Sequence, residues 1–259
     1  MAQPVLLIDG LTKSFKAGPF SPAREVLRGI DLVVEAGQVF GFFGINGAGK
    51  STTNKIVLGF LPQDRGNCRI LGRSNLEPAS RQRIGYLPEN PSYYEFLTGE
   101  ELLLFAADLF GLAGEKSRTR IRYLLERVGL ANDGSRRIGQ YSKGMRQRIG
   151  LAQALINEPT FLMLDEPMEG LDPLGRQMLK ELILEERSRG TAVFLCSHQL
   201  LDAEGLCDTI AILHDGRVTL AGTMAQVRAL HPDLDLEQIF IRTVRTSDPA
   251  ANARPGPSS

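Results

Sequence analysis

Short apolar runs alternating with helical patterns predict an α/β fold, and a long strand-free stretch within that alternation predicts an inserted helical subdomain. Three observations carry this reading. Phe161–Leu164, Ala192–Cys196 and Ile210–Leu213 are short, bounded and β-rich, as strands buried on both faces of a parallel sheet should be. Arg176–Arg187 and Gln199–Leu206 separate them with apolar residues at helical intervals, which implies a layered architecture. Between Pro91 and Asn157 the strand signal disappears, and Glu100–Leu112, Arg118–Val128 and Lys143–Ile156 carry helical spacing instead.

The remaining elements follow in order. Val5–Ile8 and Gln38–Gly41 read as strands, the second running into a glycine-rich loop, and Lys50–Leu58 reads as a helix. Asp215-Gly216 lies between two strand-like runs and signals a hairpin. Pro249, Pro255 and Pro257, set among Ala, Gly and Ser, predict a disordered tail over 246–259. The expected organisation is a main domain over 1–222 with helices inserted at about 91–158, a helical extension over 223–245, and the tail.

The 259 residues include 30 Lys+Arg and 30 Asp+Glu, so no global charge points to nucleic acid or an anionic membrane. Cys68, Cys196 and Cys207 have no metal-ligand or CxxC spacing and read as reduced thiols. No leader pattern opens the chain. The longest apolar helical stretch, Leu102–Leu112, contains Asp108 and is too short to span a bilayer, so a soluble protein is expected.

Gly44-Ile45-Asn46-Gly47-Ala48-Gly49-Lys50-Ser51 fits G-x-x-x-x-G-K-[ST] in full, with a strand before it and a helix after it. Such a loop points backbone N–H groups at phosphates without Cβ clashes, and the helix N-terminus adds partial positive charge. Lys50 is placed to neutralise the β- and γ-phosphates, and Ser51, followed by Thr52, to offer its hydroxyl to Mg²⁺. A dinucleotide-type G-x-G-x-x-G fails, because position 52 is Thr. No Asn-Lys-x-Asp guanine motif occurs.

Phe161–Leu164 ends in Asp165-Glu166. A strand-end Asp suits Mg²⁺, which takes oxygen ligands, and the neighbouring Glu suits a general base that polarises water. His198 follows the next strand; it reads either as a strand-end histidine bonded to backbone or as a γ-phosphate contact. Tyr141-Ser142-Lys143-Gly144-Met145 opens a helix just before the acidic strand, and Ser142 is also a natural helix N-cap.

Together these residues resemble the ATP-binding subunit of ABC transporters over roughly Val5–Arg245. Gly44–Ser51 stands as Walker A, Phe161–Glu166 as Walker B, Tyr141–Met145 as the signature, Gly170-Leu171-Asp172 as the D-loop and His198 as the switch histidine. Glu89 stands at the Q-loop, where the family has glutamine, as a Mg²⁺-proximal oxygen ligand. Phe15 stands where the family stacks an aromatic on adenine; from sequence, a core aromatic closing the first strand is the other reading. Lys143, Met145 and Glu169 depart from the family pattern, while Ser142 and Gly144 keep it.

The resemblance implies a P-loop NTPase (RecA-like) core with an N-terminal antiparallel β subdomain and an inserted α-helical subdomain. It implies ATP and Mg²⁺ as cofactors and ATP sandwiched between Lys50 of one chain and Ser142 and Gly144 of another. A homodimer or a paired ATPase subunit and an integral membrane permease subunit are then the expected partners, on the cytoplasmic face of the membrane. The Tyr-Ser-Lys-Gly-Met-Arg-Gln-Arg form, with Gly-Tyr-Leu-Pro-Glu upstream and Asp235–Phe240 as a final helix, is similar to the branch serving exporters of drugs, polysaccharides, lipids or ions. The alternative is a soluble ATPase of the same type acting on nucleic acid or ribosomes, with Arg136, Arg137, Lys143, Arg146 and Arg148 as its basic patch.

Overall fold

The computed structural model describes residues 3–16, 18, 20–200 and 204–247. Two sheets organise it. The first is antiparallel, with strand β1 (Leu6–Lys16) at its heart, flanked by β2 (Ala23–Val34) and by β4 (Arg65–Ile70) with its short neighbour β5 (Arg73–Ser74). The second contains β3 (Val39–Phe43), β6 (Ile84–Leu87), β7 (Phe161–Asp165), β8 (Ala192–Ser197), β9 (Thr209–His214) and β10 (Arg217–Thr223) in the order β10-β9-β3-β8-β7-β6. All its pairings are parallel except that of β10 with β9.

Alternation along the central strands explains the layers, because successive side chains point to opposite faces. Phe40, Phe42, Phe161, Met163 and Phe194 pack on one face with Ile56 and Val57 of helix α1 (Lys50–Val57) and with Leu6, Ile8, Leu11, Leu27 and Ile30 of the antiparallel sheet. Phe40 and Phe194 stack with ring centroids 5.6 Å apart. The other face carries Val39, Phe43, Leu162, Leu164, Val193 and Leu195 against the inserted helices and against α5 (Pro173–Ser188). Both faces are dry, so each strand reads as an unbroken apolar run.

The insertion comprises α2 (Gly99–Leu109), α3 (Glu115–Arg127) and α4 (Lys143–Ala154), packed through Leu103, Ala107, Leu124, Leu125 and Ile149. Thr98 and Glu101 form a capping box at the start of α2, satisfying two otherwise unpaired backbone donors. Helix α4 lies hard against the β6 edge: a side chain at Gly85 would strike the Ala154 carbonyl, and one at Gly150 would strike the Tyr93 hydroxyl. This contact fixes where the start of α4 points. Two helices close the described chain, α6 (Met224–Leu230) and α7 (Leu236–Ser247), burying Val227, Leu236 and Ile239.

The differences from sequence expectation are local. The first strand is eleven residues long, because register shifts at Ile8/Leu11, Leu11/Thr12 and Lys13/Ser14 break the alternation that would have announced it. Helix α2 stops at Leu109, where Gly111 with φ +70 ends the turn. The expected helix Gln199–Leu206 falls partly on residues 201–203, outside the described residues; Gln199 and Glu204–Leu206 beside them are not α-helical. Of the expected tail over 246–259, Thr246 and Ser247 belong to α7, and 248–259 lie outside the described residues. Asp215 and Gly216, with φ of +45 and +73, make the expected tight hairpin turn.

Candidate nucleotide site

The strand order closes the long sequence gap between the glycine loop and the acidic strand. Strands β3, β8 and β7 are neighbours, with Phe43 opposite Ser197 and Asp165 opposite Cys196. Their C-terminal ends therefore deliver Gly44–Ser51, Ser197-His198 and Asp165-Glu166 to one edge. Ligand sites in open parallel sheets form at such an edge.

A cavity of about 730 Å³ opens there. Its wall includes Phe15, Asn46, Gly47, Gly49, Lys50, Ser51, Thr52, Glu89, Asp165, Glu166 and His198, all expected from sequence. Ile45, within the expected loop, and Glu169, marked from sequence only as a departure, also line it, and Arg24, Val26 and Gln199 were missed. Arg24 pairs across the β1–β2 ribbon with Phe15, so a hairpin assumption would have found it. Phe15 is 43% exposed, which removes the reading as a core aromatic.

The glycine loop is held from behind. Gly44 has no room for a side chain, since one would stand 2.5 Å from the Leu213 carbonyl, and Gly216 N–H donates to Ala48 O at 3.1 Å. Ala48 is buried with its N–H donated to Ile45 O, so Gly44 and Ala48 shape the loop rather than line the cavity. Gly49, at φ +118, caps α1 in a conformation closed to L side chains, and a Cβ there would meet Leu27 at 2.7 Å. Lys50 is buried, and its Nζ donates to Gly44 O at 2.6 Å. Among the described residues its ammonium has carbonyl partners and no ion pair, which fits a site awaiting an anion.

The acidic side is equally constrained. Glu166 adopts φ +48, rare for a residue with a side chain, and its N–H donates to Cys196 O at 2.9 Å. Its Oε1 lies 2.9 Å from His198 Nδ1 and its Oε2 accepts from Ser197 Oγ at 3.0 Å. An ionised Glu166 requires the His198 proton on Nδ1, which leaves Nε2 an acceptor at the cavity wall, 3.5 Å from Gln199 Nε2. His198 thus bonds a carboxylate, not backbone as in the blander sequence reading.

Burial pushes the Asp165 carboxyl above its ordinary range; Asn54 hydrogen bonding and Lys50 oppose this, while Glu166 and Glu89 reinforce it. Asn54 also accepts from the buried Cys196 thiol at 3.1 Å. Among the described residues no cluster of three or more His, Cys, Asp or Glu side chains could cage a metal alone. Ser51 and Asp165 line the same cavity, a donor set that fits Mg²⁺, which binds through one or two carboxylates plus phosphates and water.

Ser142 and Gly144 do not line this cavity. Ser142 is exposed and caps α4, accepting from Met145 N–H at 3.2 Å. Asp172 of the D-loop likewise caps α5, accepting from Gly175 N–H at 2.8 Å.

The family model described as ABC transporter matches residues 27–169. The chain belongs to the ABC transporter family. An ABC transporter ATP-binding protein of Nostoc sp. is 43% identical over 226 residues, 86% of this chain and 68% of that protein. The fluoroquinolones export ATP-binding protein of Mycobacterium tuberculosis is 37% identical over 226 residues, 86% of this chain and 72% of that one. A solved structure of the ATP-binding subunit of an ABC transporter aligns with TM-score 0.83 and 33% identity, covering 92% of this chain and 99% of that one. As an ABC transporter ATP-binding subunit, the chain binds and hydrolyses ATP. Among the described residues no helix is long and apolar enough to cross a membrane.

Proposed function

We propose that two ATPase chains close face to face on two ATP molecules, and that this cycle drives export through an integral membrane permease subunit. The observation that carries the two-chain reading is the separation of the half-sites: Lys50, Asp165 and Glu166 share a cavity from which Ser142 and Gly144 are absent. An exposed helix N-terminus capped by a serine suits a phosphate brought by another molecule.

Each residue then has a role. Phe15 stacks on adenine. The loop residues Asn46, Gly47, Gly49, Lys50, Ser51 and Thr52 wrap the phosphates through backbone N–H groups and the Lys50 ammonium, while Gly44 and Ala48 hold the loop in shape. Ser51, Asp165 and Glu89 hold Mg²⁺, which neutralises phosphate charge when bound. Glu166 takes a proton from the attacking water, and His198 orients Glu166 and faces the γ-phosphate.

The membrane subunit docks near the segment after Glu89. Tyr94, Phe96, Phe105, Leu109 and Phe110 are exposed there, an apolar surface that suits a protein partner. Export is supported by the relative from Mycobacterium tuberculosis. Work at the cytoplasmic face follows from ATP supply and that partner. Against the nucleic-acid alternative, three of the five cations of its patch, Arg136, Lys143 and Arg146, stand beside the carboxylates of Asp133, Glu169 and Glu95, which lowers the net charge of that surface.

Glu166→Gln tests the core of this reading. Hydrolysis should fall roughly 10²–10⁴-fold, the range for loss of a general base, and ATP should trap a dimer in size-exclusion chromatography. Wild-type hydrolysis by this variant would remove Glu166 from the mechanism. Affinity purification from native membrane should recover a polytopic protein; recovery of RNA or DNA alone would overturn the transport assignment.

A further inference from the structure

Two departures from the family pattern, Lys143 at the signature and Glu169 after β7, meet in space. Lys143 Nζ stands 2.5 Å from Glu169 Oε1, both on exposed ground. The lysine stem lies along Gly170, where a side chain would come within 2.8 Å of Lys143 Cδ. Beside it, Gln147 Nε2 donates to Pro167 O at 3.2 Å, and a Cβ on Gly144 would stand 3.2 Å from Gly170 O. The start of α4 and the loop 167–171 are therefore one joint. Glu169 also lines the nucleotide cavity, and its N–H donates to Glu166 O at 3.1 Å. The ion pair spans the distance between the half-site offered to a partner and the half-site kept for the chain's own nucleotide.

We propose that Lys143 is a phosphate-binding residue held in reserve by Glu169. When a partner presents its nucleotide to Ser142, the γ-phosphate draws the ammonium from Glu169. The released carboxylate then reports that event at the chain's own catalytic edge. This rests on the two-chain reading above. An exposed Lys–carboxylate pair is weak because water solvates both ends. A terminal phosphate offers more charge and more acceptor oxygens, and the α4 N-terminus reinforces it. Lysine is suited to the exchange, being a mobile point charge on a flexible stem, and Gly170 leaves that stem unobstructed.

Exchanging the charges separates a phosphate ligand from a mere staple. In a Glu166→Gln background, the ATP-driven dimer dissociation constant is measured by analytical ultracentrifugation, with thermal unfolding as the check on folding. Lys143→Met should weaken the dimer about 10-fold, and Glu169→Gln should tighten it about 2-fold by freeing the lysine. The double exchange Lys143→Glu with Glu169→Lys rebuilds the ion pair but aims a carboxylate at the phosphate, so it should weaken the dimer about 100-fold. A double exchange that dimerises as tightly as Glu166→Gln alone would make the pair a staple and overturn the proposal. Dimerisation insensitive to Lys143→Met in a dimeric background would overturn it too, leaving the two-chain reading intact. A Glu166→Gln control that stays monomeric with ATP would overturn both.

Discussion

The sheet edge at β3, β8 and β7 and the N-terminus of α4 both meet phosphate in the proposed cycle, yet they are built in opposite ways. The edge is closed from behind by Leu27, Leu213 and Gly216, and its Lys50, Asp165 and Glu166 are buried. The α4 terminus is an exposed serine cap on a helix braced at its far end by Gly85 and Gly150. One is organised without ligand at a cost in buried charge; the other is positioned but incomplete. In the proposed cycle the difference assigns tight nucleotide capture to the single chain and control of hydrolysis to the encounter of two.

Lys50→Met is the strongest way to break that contrast. It removes the charge at the closed edge, and ATP affinity should fall about 100-fold, the upper range for hydrogen bonds to a charged group. Titration with a fluorescent ATP analogue measures it. A change below 3-fold would mean that the loop N–H groups alone capture the phosphates and that the buried ammonium serves the fold.

Ser142→Ala and Asp172→Ala sharpen the comparison, because both delete an N-cap with the same geometry. Each should cost about 1 kcal/mol of stability in denaturant unfolding. In a Glu166→Gln background Ser142→Ala should also weaken the ATP-trapped dimer beyond its stability cost, while Ser142→Thr restores it. Equal dimer loss in Asp172→Ala would show that capping, and not the serine hydroxyl, is what the interface reads.

Legibility in sequence follows the same division. The phosphate loop is contiguous, and its strand and helix flanks are ordinary, so Gly44–Ser51 and α1 could be read directly. The central strands announced themselves because both faces are dry. The antiparallel sheet was only glimpsed at Val5–Ile8: bulges at Gly10 and Lys13 interrupt its period, and its partners are half exposed. Arg24 could be reached only by assuming the β1–β2 hairpin, and the place of Glu169 in the site depends on the joint with α4. Lys143 and Glu169 stood out singly as departures; only the fold puts them 2.5 Å apart.

The smallest effect probes the cost of the closed edge. The Asp165 carboxyl is held above its ordinary range by burial and by Glu166 and Glu89. A carboxyl that binds its proton more tightly folded than unfolded loses stability on ionising. That loss is absent below the unfolded value of about 4 and grows as pH rises through the folded value. Asp165→Asn removes the charge while keeping the shape, so without nucleotide it should raise Tm by about 2–4 °C at pH 7, roughly what 1 kcal/mol does in a chain this long. The advantage should shrink as pH falls toward 4, because the wild-type carboxyl is then neutral as well. Mg²⁺ and ATP should reverse the order, stabilising wild type more than the variant by supplying the cation the buried carboxylate lacks. If Asp165→Asn instead lowers Tm at every pH, the carboxylate is a structural partner of Asn54, and the cost of the closed edge lies elsewhere.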